Sequence, residues 1–287
     1  LRSRERGELI VKEFLERSDW SNVETVVIPG CGSSTLGAAA FGKSVAQIQE
    51  TIEGSKQTVA AIVAGQGAFD QWLEAASGGV IMTPMANLLN AIDPILEFTA
   101  KANPVVAEIY INDLIDAIHE AGTLYALLKA RLVEGTLNKL NMIVSHSKAN
   151  WAVLVALLAF ELELPELERL GKLRDPGQRI AVVTFGNPVN LPDMNPTMKR
   201  LFHYHQFVGA VDKLAFNCSM KAWKLKLSND EKLDPQDPVF DPEGDPNELM
   251  LADTEHHLFA KRAPETDEEL KPFHMPIERI LPQLRRH

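Results

Sequence analysis

Short β-branched runs alternate along the chain with longer stretches of helical period. Glu24–Ile28 (ETVVI), Val59–Val63 (VAAIV), Arg179–Phe185 (RIAVVTF) and Leu201–Val208 (LFHYHQFV) read as strands, apolar and short as buried parallel strands are. Met142-Ile143-Val144 is a further apolar run, and Asn247–Ala252 (NELMLA) reads as a short last strand. Between them, Thr35–Ile52 looks helical, Val105–Val133 is one long helix with polar and apolar faces, and another helix starts at about Asn150. Glu5–Ser18 reads as an amphipathic helix with Leu9, Ile10, Phe14 and Leu15 near one face, and Ile277–Leu284 as a terminal helix. Glu161–Gln178 is a charged, proline-containing surface segment, and Ser228–Pro246, rich in Asp and Pro, an exposed loop. No repeat or clear linker interrupts the pattern. It predicts one α/β domain over residues 1–287, a mostly parallel central sheet with helices on both faces.

Gly65–Pro104 breaks the rhythm. Its apolar residues come in short helix-like bursts between Gly78-Gly79, Pro84 and Pro94. It reads either as a lid-like helical insertion or as a pair of ordinary core helices.

Composition narrows the class. A 45% hydrophobic content suffices for a large core, while a net charge of -10 and a pI near 5.3 argue against nucleic-acid partners and against electrostatic adhesion to an anionic membrane. The longest apolar run, Trp151–Phe160, is too short to span a bilayer, so no integral membrane segment is expected. Two distant cysteines, Cys31 and Cys218, form no disulfide framework, which points to a reducing, cytoplasmic location. The first residues are neither Met nor a signal peptide, so the chain reads as a piece of a longer protein, which leaves room for a targeting segment ahead of it.

The chemistry centres on Leu140–Glu161. An apolar run meets the turn Ser145-His146-Ser147-Lys148-Ala149 and then a long apolar helix. Strand, sharp turn with a central serine, and buried helix together make a nucleophile elbow, usually G-x-S-x-G because the flanking residues must be small. Here Ser145 and Ala149 replace both glycines; a plain serine in a strand-to-helix loop is the alternative. Active sites of parallel sheets lie at the carboxyl ends of strands. Those ends carry Gly30-Cys31-Gly32, Gly65, Ser147, Gly186-Asn187, Asp212 and His256-His257. Ser…Asp…His is the order of α/β-hydrolases. A serine hydroxyl needs a histidine to take its proton and a carboxylate to orient that histidine.

On these residues the sequence resembles the α/β-hydrolases, and within them the class 3 (fungal-type) lipases. VSHSKAN resembles their GHSLGG elbow, VVTFGNPVN (Val182–Asn190) their TFGxPxxGN strand and turn, and FVGAVDKL (Phe207–Leu214) the strand carrying the acid. The likeness covers about Asn138–Leu214. It implies Ser147 as nucleophile and Asp212 as triad acid, with Asp193 and Asp253 as fallback acids. His256 is the expected base and His257 its alternative. The oxyanion hole is expected from the backbone N–H groups of Lys148 and Cys31.

Other readings fall short. PGCGSSTLG has Thr35 where a dinucleotide loop needs its third glycine, and it lacks the G-K-[ST] of a P-loop. Cys31 as a catalytic thiol has no visible flanking base. His203 and His205 share a strand face and could be metal ligands, but a polar strand face fits better; His146 reads as a packing residue, and His274 and His287 as surface residues. No cofactor and no metal are expected. The expected function is a serine hydrolase of carboxylic esters, with a small-molecule ester or lipid as partner. An acyltransferase or thioesterase with the same triad, or an inactive hydrolase-fold binding module, are the alternatives.

Overall fold

The computed structural model describes residues 5, 7–12, 22–30, 33–63, 109, 111–115, 118–171, 179–187, 195–209, 212, 249–252 and 277–284. Six strands form its sheet: β1 (Thr25–Ile28), β2 (Val59–Ala61), β3 (Met142–His146), β4 (Ile180–Phe185), β5 (Phe202–Gly209) and β6 (Leu249–Ala252). Their order is β2-β1-β3-β4-β5-β6, and every neighbouring pair is parallel. The α/β class and the parallel sheet expected from the sequence are thus present.

Among the helices of the described residues are α1 (Thr35–Glu53), α2 (His119–Glu134), α3 (Ala149–Arg169), α4 (Pro196–Leu201) and α5 (Ile277–Leu284). Side-chain alternation on the strands separates two cores. Val26, Ile28, Ile143, Val182 and Tyr204 pack with α2 and α3. Val27, Val144, Val183, Phe185 and Phe207 pack on the other face with Phe41 and Val45 of α1 and with Ile280 and Leu281 of α5. The helices that follow β1 and β3 therefore leave the sheet on opposite sides: α1 follows β1 on one face, and α3 follows β3 on the other. Since β1 and β3 are neighbours, a crevice opens between their carboxyl ends, the place where open α/β sheets bind ligands.

Local chemistry sets the helix ends. Ser34 Oγ accepts a hydrogen bond from the Gly37 N–H at 3.1 Å and caps α1, whose last turn closes on Gly54 at φ 67. Asn195 caps α4 in the same way, with Pro196 following it. This short helix was legible as an Asn-Pro start but is absent from the sequence reading.

Three other expectations are corrected. The helix expected over Val105–Val133 is interrupted: Ile118 is extended at φ -113, ψ 103, and α2 begins only after it. Neither glycine nor proline marks that break, so nothing in the local sequence predicts it. The segment Glu161–Gln178 is not a surface segment throughout, because α3 continues to Arg169 across Pro165 with Leu164 and Leu167 buried. An internal proline costs a helix about 3 kcal/mol; burying two leucines offsets that at roughly 1.5–3 kcal/mol each. In the N-terminal helix, Leu9 and Ile10 are exposed while Gly7 and Val11 are buried. The glycine decides this face. A Cβ on Gly7 would stand 2.6 Å from the backbone of Gly122, so the two backbones touch where only glycine fits. Phe14 and Leu15 lie outside the described residues.

Candidate active site

Parallel register brings two loops together. Ile28 of β1 is level with Ser145 of β3, and Gly30 and Ser147 each follow two residues later. A Cβ on Gly30 would lie 2.9 Å from Ser147 Cβ and 2.9 Å from His146 Nδ1. The loop after β1 thus rests directly on the serine turn, and it does so because residue 30 has no side chain. His146, half-buried, packs on Gly30 as a flank of the turn.

Ser147 has φ 55, and it is the only non-glycine with positive φ among the described residues. Most L-residues avoid that left-handed region. The turn is held from both sides. The Ser147 N–H donates to Phe185 O at 2.9 Å, on the neighbouring β4. The Asn150 N–H donates to Ser147 O at 3.0 Å and starts α3 without a side-chain cap. Ser147 is 6% exposed, packed against Gly30 of the loop that follows β1. Lys148 opens α3 in helical geometry, φ -51 and ψ -35. Its ammonium lies 3.9 Å from the carboxylate of Glu120 in the first turn of α2, so the cation is drawn towards α2.

A buried polar layer underlies the turn. Ser145, Thr184 and Gln206 sit level on three adjacent strands, and all are fully buried. Ser145 Oγ donates to Asn150 Oδ1 at 2.6 Å, Asn150 Nδ2 to Phe185 O at 3.0 Å, and Asn187 Nδ2 to Gln206 Oε1 at 2.7 Å. The Thr184 hydroxyl between these pairs has no hydrogen-bond partner among the described residues. The sequence reading missed Asn150, Thr184 and Gln206. Their signal was present: Asn150 is the one amide within the otherwise apolar ANWAVLVALLAF, and Gln206 interrupts the apolar end of β5.

Asp212 follows β5 through a turn closed by its own N–H donating to Gly209 O at 2.9 Å, and it is 1% exposed. The ends of β3 and β5 are two strand spacings apart, about 10 Å. Beside β5 runs β6, Gln206 level with Leu249 and Gly209 with Ala252. His256 and His257, four and five residues beyond Ala252 in sequence, lie outside the described residues. So do Cys31, the fallback acids Asp193 and Asp253, and the whole of residues 65–104.

His203 and His205 face the same side of β5. Their rings meet edge-on with centroids 4.8 Å apart, and Nε2 of His205 lies 3.3 Å from Nδ1 of His203. Among the described residues no group of three or more His, Cys, Asp or Glu could hold a metal ion, and no helix is long and apolar enough to cross a membrane. Compared with protein-family models, with curated proteins and with solved structures, the chain matches none.

Proposed function

We propose that this chain is a serine hydrolase of carboxylic esters, with acyl or lipid esters as its substrate class and Ser147 as nucleophile. One observation carries the reading. A serine stands in left-handed backbone geometry between a parallel strand and a buried helix, at the crevice where the strand order reverses. A fold keeps such strain where it is needed, and here it turns a hydroxyl-bearing residue out of the end of the sheet.

The proposed chemistry follows from what each group supplies. Asp212 holds His256, or His257, through one ring nitrogen. The other ring nitrogen takes the Ser147 proton as Oγ attacks the ester carbonyl carbon. The oxyanion accepts hydrogen bonds from the backbone N–H of Lys148, at the positive end of α3, and from that of Cys31 in the loop that Gly30 begins. Collapse breaks the ester bond, and the imidazolium protonates the departing alcohol. Water then attacks the acyl-enzyme through the same histidine. The architecture is read as that of an α/β-hydrolase, with residues 65–104 as its lid. Support comes from Asp212, buried after a strand two places from β3, and from the carboxyl end of β6 beside β5.

The test is turnover of a short-chain p-nitrophenyl ester by wild type and Ser147→Ala, with circular dichroism as the folding control. Hydrolysis by wild type and a loss of several orders of magnitude in the variant is the expected result. Equal rates in the two would reject the mechanism.

A further inference from the structure

Ser145, which stands where the lipase elbow has its first glycine, is bonded to Asn150, the residue that follows Ala149. Ser145 Oγ lies 2.6 Å from Asn150 Oδ1. On its other side the Asn150 amide donates from Nδ2 to Phe185 O at 3.0 Å. The same carbonyl accepts the Ser147 N–H at 2.9 Å. A carbonyl oxygen has two lone pairs, and here both are used. The orientation of the amide is fixed by chemistry, because Phe185 O can only accept and must face the nitrogen.

We infer that Asn150, supported by Ser145, is the positioning residue that holds the Ser147 backbone in its reactive conformation. This rests on Ser147 being the nucleophile. In a glycine-flanked elbow, missing side chains let strand and helix approach. Here the space beside the turn is filled instead, and the filling is polar and fully buried. Three neighbouring segments meet at one carbonyl: the end of β3 through Ser147, the first turn of α3 through Asn150, and the end of β4 through Phe185. The clamp spans the residue with positive φ, so rotation of the Ser147 backbone away from its turn would have to break it.

Asn150 touches no reacting atom, so its loss should act through geometry. Small misplacements of a reacting group can cost about a hundredfold in rate. Asn150→Ala is expected to slow labelling of Ser147 by a fluorophosphonate about 10- to 100-fold, and to lower ester kcat by the same factor with KM changed less than about twofold. Ser145→Ala, which leaves the bond from Nδ2 to Phe185 O in place, should lose only about severalfold. The double variant should be no slower than Asn150→Ala, since the two side chains act as a unit. Amide exchange of Ser147 should also be at least about tenfold faster in Asn150→Ala, a readout independent of activity. Should Asn150→Ala fail to fold, Asn150→Asp keeps the size and the acceptor while removing the donor, and the same losses are expected of it. A wild type that labels, with a folded Asn150 variant that labels equally fast, overturns the positioning role and leaves the hydrolase reading standing. A loss residing in KM, or additive effects of the two substitutions, overturns it too. A wild type that does not label overturns the hydrolase reading and the positioning role with it.

Discussion

A serine at φ 55 costs the fold about 1–2 kcal/mol relative to an unstrained residue. Glycine at the same place escapes that strain, although it loses about 0.5–1 kcal/mol of chain entropy. Ser147→Gly is therefore expected to leave stability unchanged or raise it by about 1 kcal/mol while abolishing ester turnover, which denaturant titration and a rate assay would show together. A fall in stability beyond about 1 kcal/mol would mean that Ser147 is not strained. Gly30 carries the opposite prediction. A methyl group there meets Ser147 Cβ and His146 Nδ1, each at 2.9 Å, and neither belongs to a long flexible side chain. Overpacking of this kind costs about 1–3 kcal/mol, so Gly30→Ala should lower the thermal midpoint and displace the serine turn, with ester turnover reduced. Turnover equal to wild type in Gly30→Ala would separate the loop from the site. At this scale the sequence placed Ser147 and Asp212 just after strands, where the structure has them, because a short apolar run and the polar residue beyond it are read locally. It did not disclose Asn150, whose role depends on a carbonyl 35 residues away in β4.

Between elements, Glu161 shows how packing sets titration. It lies on α3, four residues before Pro165, and its Oε1 accepts the Asn195 N–H at 3.2 Å where α4 begins. Burial pushes its carboxyl above the usual carboxylate range, and the hydrogen bond from Asn195 opposes this only in part. Burial also pushes the Tyr204 phenol up, helped by the negative charge of Glu161. Because the folded state holds the Glu161 proton more tightly than the unfolded chain, its contribution favours folding below the unfolded pKa and is lost as pH rises through the folded value. Glu161→Gln, which keeps an acceptor for Asn195, should therefore gain stability relative to wild type as pH rises from about 4 towards 7. Chemical denaturation of both proteins across that range checks it; parallel profiles would contradict it. The strands were legible to within one or two residues, since continuous β-branched runs between polar turns have few other uses. The helices were less so. The break at Ile118 and the passage through Pro165 are decided by what packs against each segment, and hydrophobic periodicity carries no record of that.

For the molecule as a whole, the parallel direction of all six strands brings Gly30 after β1, Ser147 after β3 and Asp212 after β5 to the same, carboxyl-terminal edge of the sheet. Alternation of strands and helices made a parallel sheet readable. Strand order was not readable, because it depends on which face each crossover helix covers, and that emerges only when the two cores form. The central claim is that this edge holds a reactive serine. Its most direct measurement is labelling of the folded protein with a fluorophosphonate, followed by peptide mapping by mass spectrometry. Stoichiometric modification at Ser147 alone is expected, and none in Ser147→Ala or in heat-unfolded wild type. Unmodified Ser147 in folded protein, or modification spread over several serines at equal rates, would contradict it.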